Sequence, residues 1–110
     1  MEHNIREETS AVVVAFEGDV DLESSRRARE VLLECVGRKT AVLVDLSQVT
    51  YIDSSGVAAL VESFQSARKG GTTFALVAVS DATLKVLQLA RLDKVFTIFA
   101  SVDDGLAEVG

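Results

Sequence analysis

The stretch from Thr40 to Gly71, TAVLVDLSQVTYIDSSGVAALVESFQSARKGG, predicts a buried strand that leads into an amphipathic helix. Residues 41–46 are almost entirely apolar on both alternating faces, which is typical of a strand in the middle of a parallel sheet. From about Ser55 to Lys69, apolar residues recur at helical spacing, and Gly70-Gly71 ends that pattern. The polar segment Asp53-Ser54-Ser55-Gly56 therefore lies at a junction between strand and helix.

The rest of the chain repeats this alternation of strands and helices. Such alternation predicts an α/β fold: a mixed, largely parallel sheet of four to five strands with helices packed outside it, in one domain spanning residues 1–110. Before this stretch we predict an edge strand or frayed end at 2–8, a strand at Ala11–Phe16 closed by a turn at Glu17-Gly18-Asp19, and a helix at Leu22–Val36 with Gly37 just beyond its end. After it we predict a strand at Phe74–Val79 and a helix that is capped by Ser80 or Asp81 and reaches about Ala90. The last elements are a strand at Val95–Ala100 and a helical turn at Asp103–Glu108.

Helical spacing also predicts which side chains face the core. The expected inward residues are Leu22, Ala28, Val31, Leu32, Cys35 and Val36 in the first helix, Val57, Leu60, Val61, Phe64 and Ala67 in the second, and Leu84 and Leu87 in the third. Cys35 is predicted to be a small buried hydrophobe rather than a reactive thiol, and a single cysteine excludes an internal disulfide.

Composition and charge exclude several classes of function. The net charge is −6, whereas nucleic acids and anionic membranes are bound by basic surfaces. The polar amino terminus has no apolar run typical of a signal peptide, and the apolar stretches are too short to span a bilayer. We therefore expect a cytoplasmic protein that meets other proteins, with no nucleic acid partner and no membrane insertion.

Asp53-Ser54-Ser55-Gly56 has two interpretations. A helix cap alone would explain an aspartate or serine here, because its side chain accepts a hydrogen bond from a free backbone N–H. The segment also lies at the carboxyl end of a central parallel strand, where open α/β sheets place their binding sites. Two adjacent hydroxyls beside a helix start, which favours anions, make a suitable place to attach or hold a phosphate. The glycine would let a partner approach the backbone closely.

No catalytic machinery accompanies these serines. Asp19-Val20-Asp21 follows a strand, as in the nucleophile loop of aspartate-based phosphatases, but Glu23 occupies the place where those enzymes need Thr or Val. A turn in which Asp21 caps the following helix is the favoured interpretation. We find no metal-ligand array and no cofactor motif, so we predict no catalytic residue, no metal and no cofactor.

Three segments together resemble the STAS domain family, and within it the bacterial anti-sigma-factor antagonists. They are the apolar strand running into Glu17-Gly18-Asp19-Val20-Asp21, the segment Val44-Asp45-Leu46, and Tyr51-Ile52-Asp53-Ser54-Ser55-Gly56-Val57. Residues 76–80, 84–89 and 92–96 are also similar to that family, so the resemblance spans about residues 12–106.

The resemblance implies a partner-switching regulator. The unphosphorylated antagonist would bind an anti-sigma factor that is itself a serine kinase, phosphorylation would end the interaction, and a serine phosphatase would restore it. The implied phosphoacceptor is Ser55, with Ser54 as second choice. The residues expected to bind the partner are Asp19, Asp21, Asp53, Ser54 and Gly56. We expect a monomer.

Two other functions stay open. One is a STAS subunit of a membrane transporter that moves lipids, although such subunits often carry Thr or an altered pair at the serine positions. The other is a small enzyme, an aspartate-based phosphatase that would use Asp19 and Asp21.

Overall fold

A computed structural model describes residues 1–109 and shows five strands and four helices within them. In chain order these are β1 (Glu2–Glu7), β2 (Ala11–Val20), α1 (Ser25–Gly37), β3 (Ala41–Ile52), α2 (Ser54–Lys69), β4 (Phe74–Val77), α3 (Asp81–Leu89), β5 (Thr97–Phe99) and α4 (Val102–Val109).

The strands form one mixed sheet in the order β1-β2-β3-β4-β5. β1 is an antiparallel edge strand on β2, and the other three pairings are parallel. β3 is the central strand, as its apolar residues on both faces predict. The predicted α/β class with a largely parallel sheet is confirmed.

The two faces of the sheet build separate cores. Val12, Val14, Val42 and Val44 face α1, α2 and α3, whereas the residues that alternate with them face α4. The second core is small: it contains Ala11, Val13, Leu43, Ala75 and Val77, covered by Phe99, Val102, Leu106 and Val109. α4 is short, but it approaches the sheet closely because Gly105 has no side chain; a Cβ there would lie 3.0 Å from both Leu43 and Val77.

The predicted turn at Glu17-Gly18-Asp19 is wrong, because β2 continues to Val20. Gly18 takes a φ of +85°, which glycine adopts without steric cost. The pairing with β3 shifts on each side of this segment. Such irregularities allow a strand to bend and continue. Both β2 and β3 therefore extend well past the end of β4.

The predicted start of the first helix at Leu22 is also wrong. α1 begins at Ser25, and Leu22 lies in the preceding turn with its side chain 77% exposed instead of inward. The other five residues predicted to face inward from α1 are buried. Gly37 is the last helical residue rather than the residue beyond it, and Lys39 takes the left-handed conformation in the following turn.

Other differences are small. β4 ends at Val77, two residues early, because Ala78 has a φ of +51° that no strand continues. Leu84 is only half-buried, and the buried polar residue in α3 is Thr83, which binds the capping hydroxyl of Ser80. Cys35 is fully buried as predicted, and burial raises the pKa of its thiol to about 11.

Candidate functional site

The candidate site lies where β2 and β3 end and α2 begins. Val20 and Ile52 are paired in the sheet, and the backbone N–H of Asp53 donates to the carbonyl of Val20 at 3.3 Å. This bond ties the start of α2 to the end of β2. The loop after β2 and the first turn of α2 therefore form one surface at the carboxyl edge of the sheet, the edge where α/β folds bind ligands and partners.

Asp53 is the N-cap of α2 and organises the serine pair. One oxygen of its carboxylate, Oδ1, accepts hydrogen bonds from the backbone N–H of Ser55 at 3.0 Å and of Gly56 at 3.2 Å. The same oxygen accepts the hydroxyl of Ser55 at 2.5 Å. The carboxylate thus satisfies two free N–H groups of the helix and fixes the rotamer of Ser55.

These bonds lower the pKa of Asp53 below its ordinary value of 3.8. The hydroxyl of Ser55 has the largest effect, the backbone N–H groups of Gly56, Ser55 and Leu22 add to it, and partial desolvation opposes it. The carboxylate is therefore ionised at neutral pH.

The two serines differ in their surroundings. The side chain of Ser54 is exposed and makes no hydrogen bond within residues 1–109, whereas Ser55 is half-buried and held by Asp53. Ser55 stands in the first turn of α2, where backbone N–H groups and the helix dipole favour an added anion. The geometry thus gives Ser55 a fixed hydroxyl orientation that Ser54 lacks.

Gly56 is buried and its Cα faces the strands. A Cβ built on it would lie 2.7 Å from the carbonyl oxygen of Val20, 2.7 Å from Ile52 and 2.9 Å from the Val20 side chain. The structural reason for glycine is therefore close packing of α2 on β2 and β3, and not the open approach for a partner that the sequence suggested. Its role in partner binding stays a prediction, exerted through the position of the helix start.

Asp19 and Asp21 belong to the same edge but not to the Asp53–Ser55 hydrogen-bond group. Asp19, in β2, accepts the hydroxyl of Thr50 at 2.9 Å. Asp21 accepts the backbone N–H groups of Glu23 at 3.1 Å and Ser24 at 3.2 Å. Asp21 therefore caps the turn before α1, while Ser24 is the N-cap residue itself. These bonds give both aspartates a role in shaping the edge.

The place of Leu22 at this site differs from the prediction, which put it on the inward face of the first helix. The six-residue step from Leu22 to Ala28 breaks the helical spacing, and Ser24 and Ser25 are typical helix-start residues. Those two signals together would have placed Leu22 in the loop before the helix.

Within residues 1–109, no group of three His, Cys, Asp or Glu side chains could hold a metal ion. The helices of the same part of the chain are each too short or too polar to cross a bilayer.

The fold and the sequence of this domain are similar to those of known proteins. The sequence profile of the STAS domain family matches residues 2–105. The chain belongs to the STAS domain family.

Relatives of this STAS domain are anti-sigma factor antagonists. The anti-sigma-F factor antagonist RsfB of Mycobacterium tuberculosis is 27% identical over 96% of this chain and 86% of its own length. The crystal structure of an anti-sigma factor antagonist from Mycobacterium paratuberculosis superposes with a TM-score of 0.89 at 27% identity, covering 98% of this chain and 92% of that one.

The fold is also that of SpoIIAA, the Bacillus cell fate determinant, whose structure is known in a phosphorylated form. That structure matches with a TM-score of 0.78 at 17% identity over 99% of this STAS domain and 100% of SpoIIAA. At this identity the likeness concerns the fold. The names of these three proteins describe antagonists and a determinant of cell fate, and not enzymes.

Replacing Asp53 with alanine should lower the melting temperature at pH 7 by about 4–8 °C, because the cap of α2 is lost. The folded pKa of Asp53 is lowered, so its stabilisation is fully present above the ordinary value of 3.8 and disappears as the pH falls through the lowered pKa. Thermal melts between pH 7 and pH 2 measure this. The difference from wild type should narrow at the acid end.

Glu23→Ala is the matched control, since Glu23 is exposed in the neighbouring loop and its carboxylate accepts no hydrogen bond within residues 1–109. A melting temperature that falls equally in both variants would contradict the capping role.

Proposed function

We propose that this STAS domain is an anti-sigma factor antagonist that works by partner switching in the cytoplasm. In the unphosphorylated state it binds an anti-sigma factor that is also a serine kinase. That kinase phosphorylates Ser55 and is released, and a serine phosphatase returns the domain to its binding state. The domain itself carries out no catalysis. The observation that carries the proposal is the Ser55 hydroxyl fixed by Asp53 at the start of α2.

The reaction at Ser55 needs only an accessible, oriented hydroxyl from this domain. The Oγ oxygen would attack the γ-phosphorus of ATP, the bond from that phosphorus to the β–γ bridging oxygen would break, and ADP would leave. In the unphosphorylated state the Ser55 hydroxyl donates a hydrogen bond to Asp53, and during the reaction its proton would pass to a base of the kinase. Nucleotide, magnesium and catalytic base belong to the kinase.

Phosphorylation would change the local charge without unfolding the domain. A phosphate adds about −1.5 to −2 charges beside the ionised Asp53, in a chain that already carries a net charge of −6. The phosphoserine also loses the O–H group that donates to Asp53. Because Asp53 still caps α2 through the N–H groups of Ser55 and Gly56, and the helix dipole favours an anion there, the helix should persist while the partner is repelled.

The proposed partner-binding residues surround this hydroxyl. Asp53 and the exposed Ser54 flank it, Gly56 sets the position of the helix, and Asp19 and Asp21 shape the neighbouring end of β2. The names of RsfB and the Mycobacterium paratuberculosis protein support an anti-sigma factor as the partner. The phosphorylated form of SpoIIAA supports the switch.

Mass-spectrometric mapping of the protein purified from its native cells should find one phosphate, on Ser55, in part of the population. Phosphate on Ser54 alone would move the acceptor by one residue. Unmodified protein under several growth conditions, together with co-purification of membrane components, would contradict the proposal and favour the subunit of a lipid transporter. A magnesium-dependent phosphatase assay tests the remaining alternative, and we expect no turnover.

A further inference from the structure

Leu22 is a large apolar side chain presented to solvent beside the site. It is 77% exposed, and only one other large hydrophobic residue in the described chain, Leu89 at 87%, is more so. The two differ in position: Leu89 ends α3, whereas Leu22 lies two residues beyond Val20, whose carbonyl accepts the backbone N–H of Asp53. A single exposed leucine is common on protein surfaces, but Leu22 is distinguished by a loop that hydrogen bonds hold in place.

The loop that carries Leu22 is fixed by hydrogen bonds on both sides of it. The hydroxyl of Ser24 accepts the backbone N–H of Asp21 at 3.0 Å and lies 3.1 Å from the carbonyl oxygen of Asp19. The carboxylate of Asp21 accepts two further N–H groups of the turn. The polar side chains of Asp21 and Ser24 are thus used internally, and the loop presents Leu22 and the neighbouring Glu23 to solvent.

The loop of Leu22 adjoins the phosphoacceptor group. Val20, two residues before Leu22, accepts the backbone N–H of Asp53 at 3.3 Å, and the carboxylate of Asp53 accepts the hydroxyl of Ser55. A protein whose active site reaches the oxygen of Ser55 therefore approaches the loop of Leu22. The leucine and the hydroxyl belong to the same edge of the sheet.

Charged groups surround this leucine unevenly. Carboxylates of Asp19, Asp21, Glu23 and Asp53 lie on the same edge. Arg27 and Arg29, further along α1, are neutralised by Glu30 and Glu62. Arg26 is the exposed basic residue closest in sequence. Leu22 is thus an apolar side chain on an acidic edge of the domain. This combination is complementary to an apolar pocket with basic residues at its rim.

We propose that Leu22 is the apolar anchor through which the kinase that phosphorylates Ser55 recognises this domain, inserting into a pocket rimmed by Arg or Lys. The inference rests on the proposed function and adds a recognition residue to it. Because hydrogen bonds already fix the loop, its backbone loses little conformational freedom on binding, so more of the gain from burying the leucine contributes to affinity. Burying a leucine side chain in the complex lowers the dissociation constant by about 10- to 100-fold.

The test measures binding of wild type, Leu22→Ala and Leu89→Ala to the purified kinase that phosphorylates Ser55, by calorimetry, together with the KM and kcat of phosphorylation. Leu22→Ala should weaken binding about 10- to 100-fold and raise KM in parallel. Leu22→Met should restore most of the affinity, because its volume and polarity are similar. Leu89→Ala should bind as wild type, and all variants should melt alike because both leucines are exposed.

Two results would overturn the anchor: wild-type affinity of Leu22→Ala, or equal losses in Leu22→Ala and Leu89→Ala. Either would leave the proposed function intact, provided that wild type binds and is phosphorylated on Ser55. If wild type neither binds nor accepts phosphate from any anti-sigma factor kinase of its native cells, the proposed function itself fails, and the anchor with it.

Discussion

Replacing Gly56 with alanine should lower the free energy of unfolding by about 3 kcal/mol, at the upper end of the usual cost of overpacking a core. The new methyl group would lie 2.7 Å from the carbonyl oxygen of Val20 and 2.7 Å from Ile52. The first contact is with backbone, which cannot rotate away, so α2 must move off the sheet. Helix propensity favours alanine over glycine by about 1 kcal/mol, which offsets only part of the loss. Urea denaturation measures the effect.

Gly37→Ala is the matched control for this substitution. Gly37 is also a helical glycine, but a Cβ built on it meets no atom within 4 Å. We expect an unchanged or slightly higher free energy of unfolding, by up to about 1 kcal/mol. If both variants lost stability equally, the contacts of Gly56 with β2 and β3 would not explain the loss.

Replacing Ser55 with aspartate should weaken binding of the anti-sigma factor by about 10- to 100-fold, corresponding to about 1.4–2.7 kcal/mol. The new carboxylate would stand where the Ser55 hydroxyl donates to Asp53, so an attractive hydrogen bond becomes a repulsion between two negative charges. One carboxylate carries less charge than a phosphate, and true phosphorylation should weaken binding further. Titration of the purified partner measures the affinity, and thermal melts verify that the domain is folded.

Two variants separate charge from position in this experiment. Ser55→Ala removes the oxygen that accepts the phosphate, so this variant should take no phosphate. Because it adds no charge to the binding surface, it should bind the anti-sigma factor within about threefold of wild type. Ser54→Asp adds the same charge one residue away, on an exposed side chain that makes no hydrogen bond within residues 1–109. Its effect should be smaller. Undiminished phosphorylation of Ser55→Ala, or full affinity of Ser55→Asp, would contradict the switch.

The sheet and helices could be predicted from the sequence because their signals are local. The apolar segments predicted as strands at 41–46 and 74–79 and the helical spacing after Ser55 locate β3, β4 and α2, although β3 extends six residues further to Ile52 and β4 ends two residues earlier at Val77. Asp53 could likewise be recognised as a helix cap, since a carboxylate before a helix accepts free N–H groups whatever the rest of the chain does.

The features that were missed depend on contacts between distant segments. The length of β2 depends on Gly18 adopting a positive φ while the strand remains paired with β3. The partner of Gly18 in that pairing is Val49, which lies 31 residues later in the sequence. The inward packing of Gly56 depends on how close Val20 comes. Leu22 was assigned to a helix face because apolar spacing was extended back across residues whose side chains instead hold a turn.

The overhang of β3 beyond β4 places the site on a part of the sheet that consists of β2 and β3 alone. β3 pairs with β4 only from Val42 to Asp45, so the segment leading to Asp53 rests on β2, helped by Ser80, which reaches the carbonyls of Leu46 and Val49. The apolar residues of this overhang, Leu46, Val49 and Ile52, are nevertheless buried in the core that α1, α2 and α3 cover. Ser55 is therefore presented beyond the end of β4 on a well-packed pair of strands, so a partner meets a surface of fixed shape that needs neither a hinge nor a second domain.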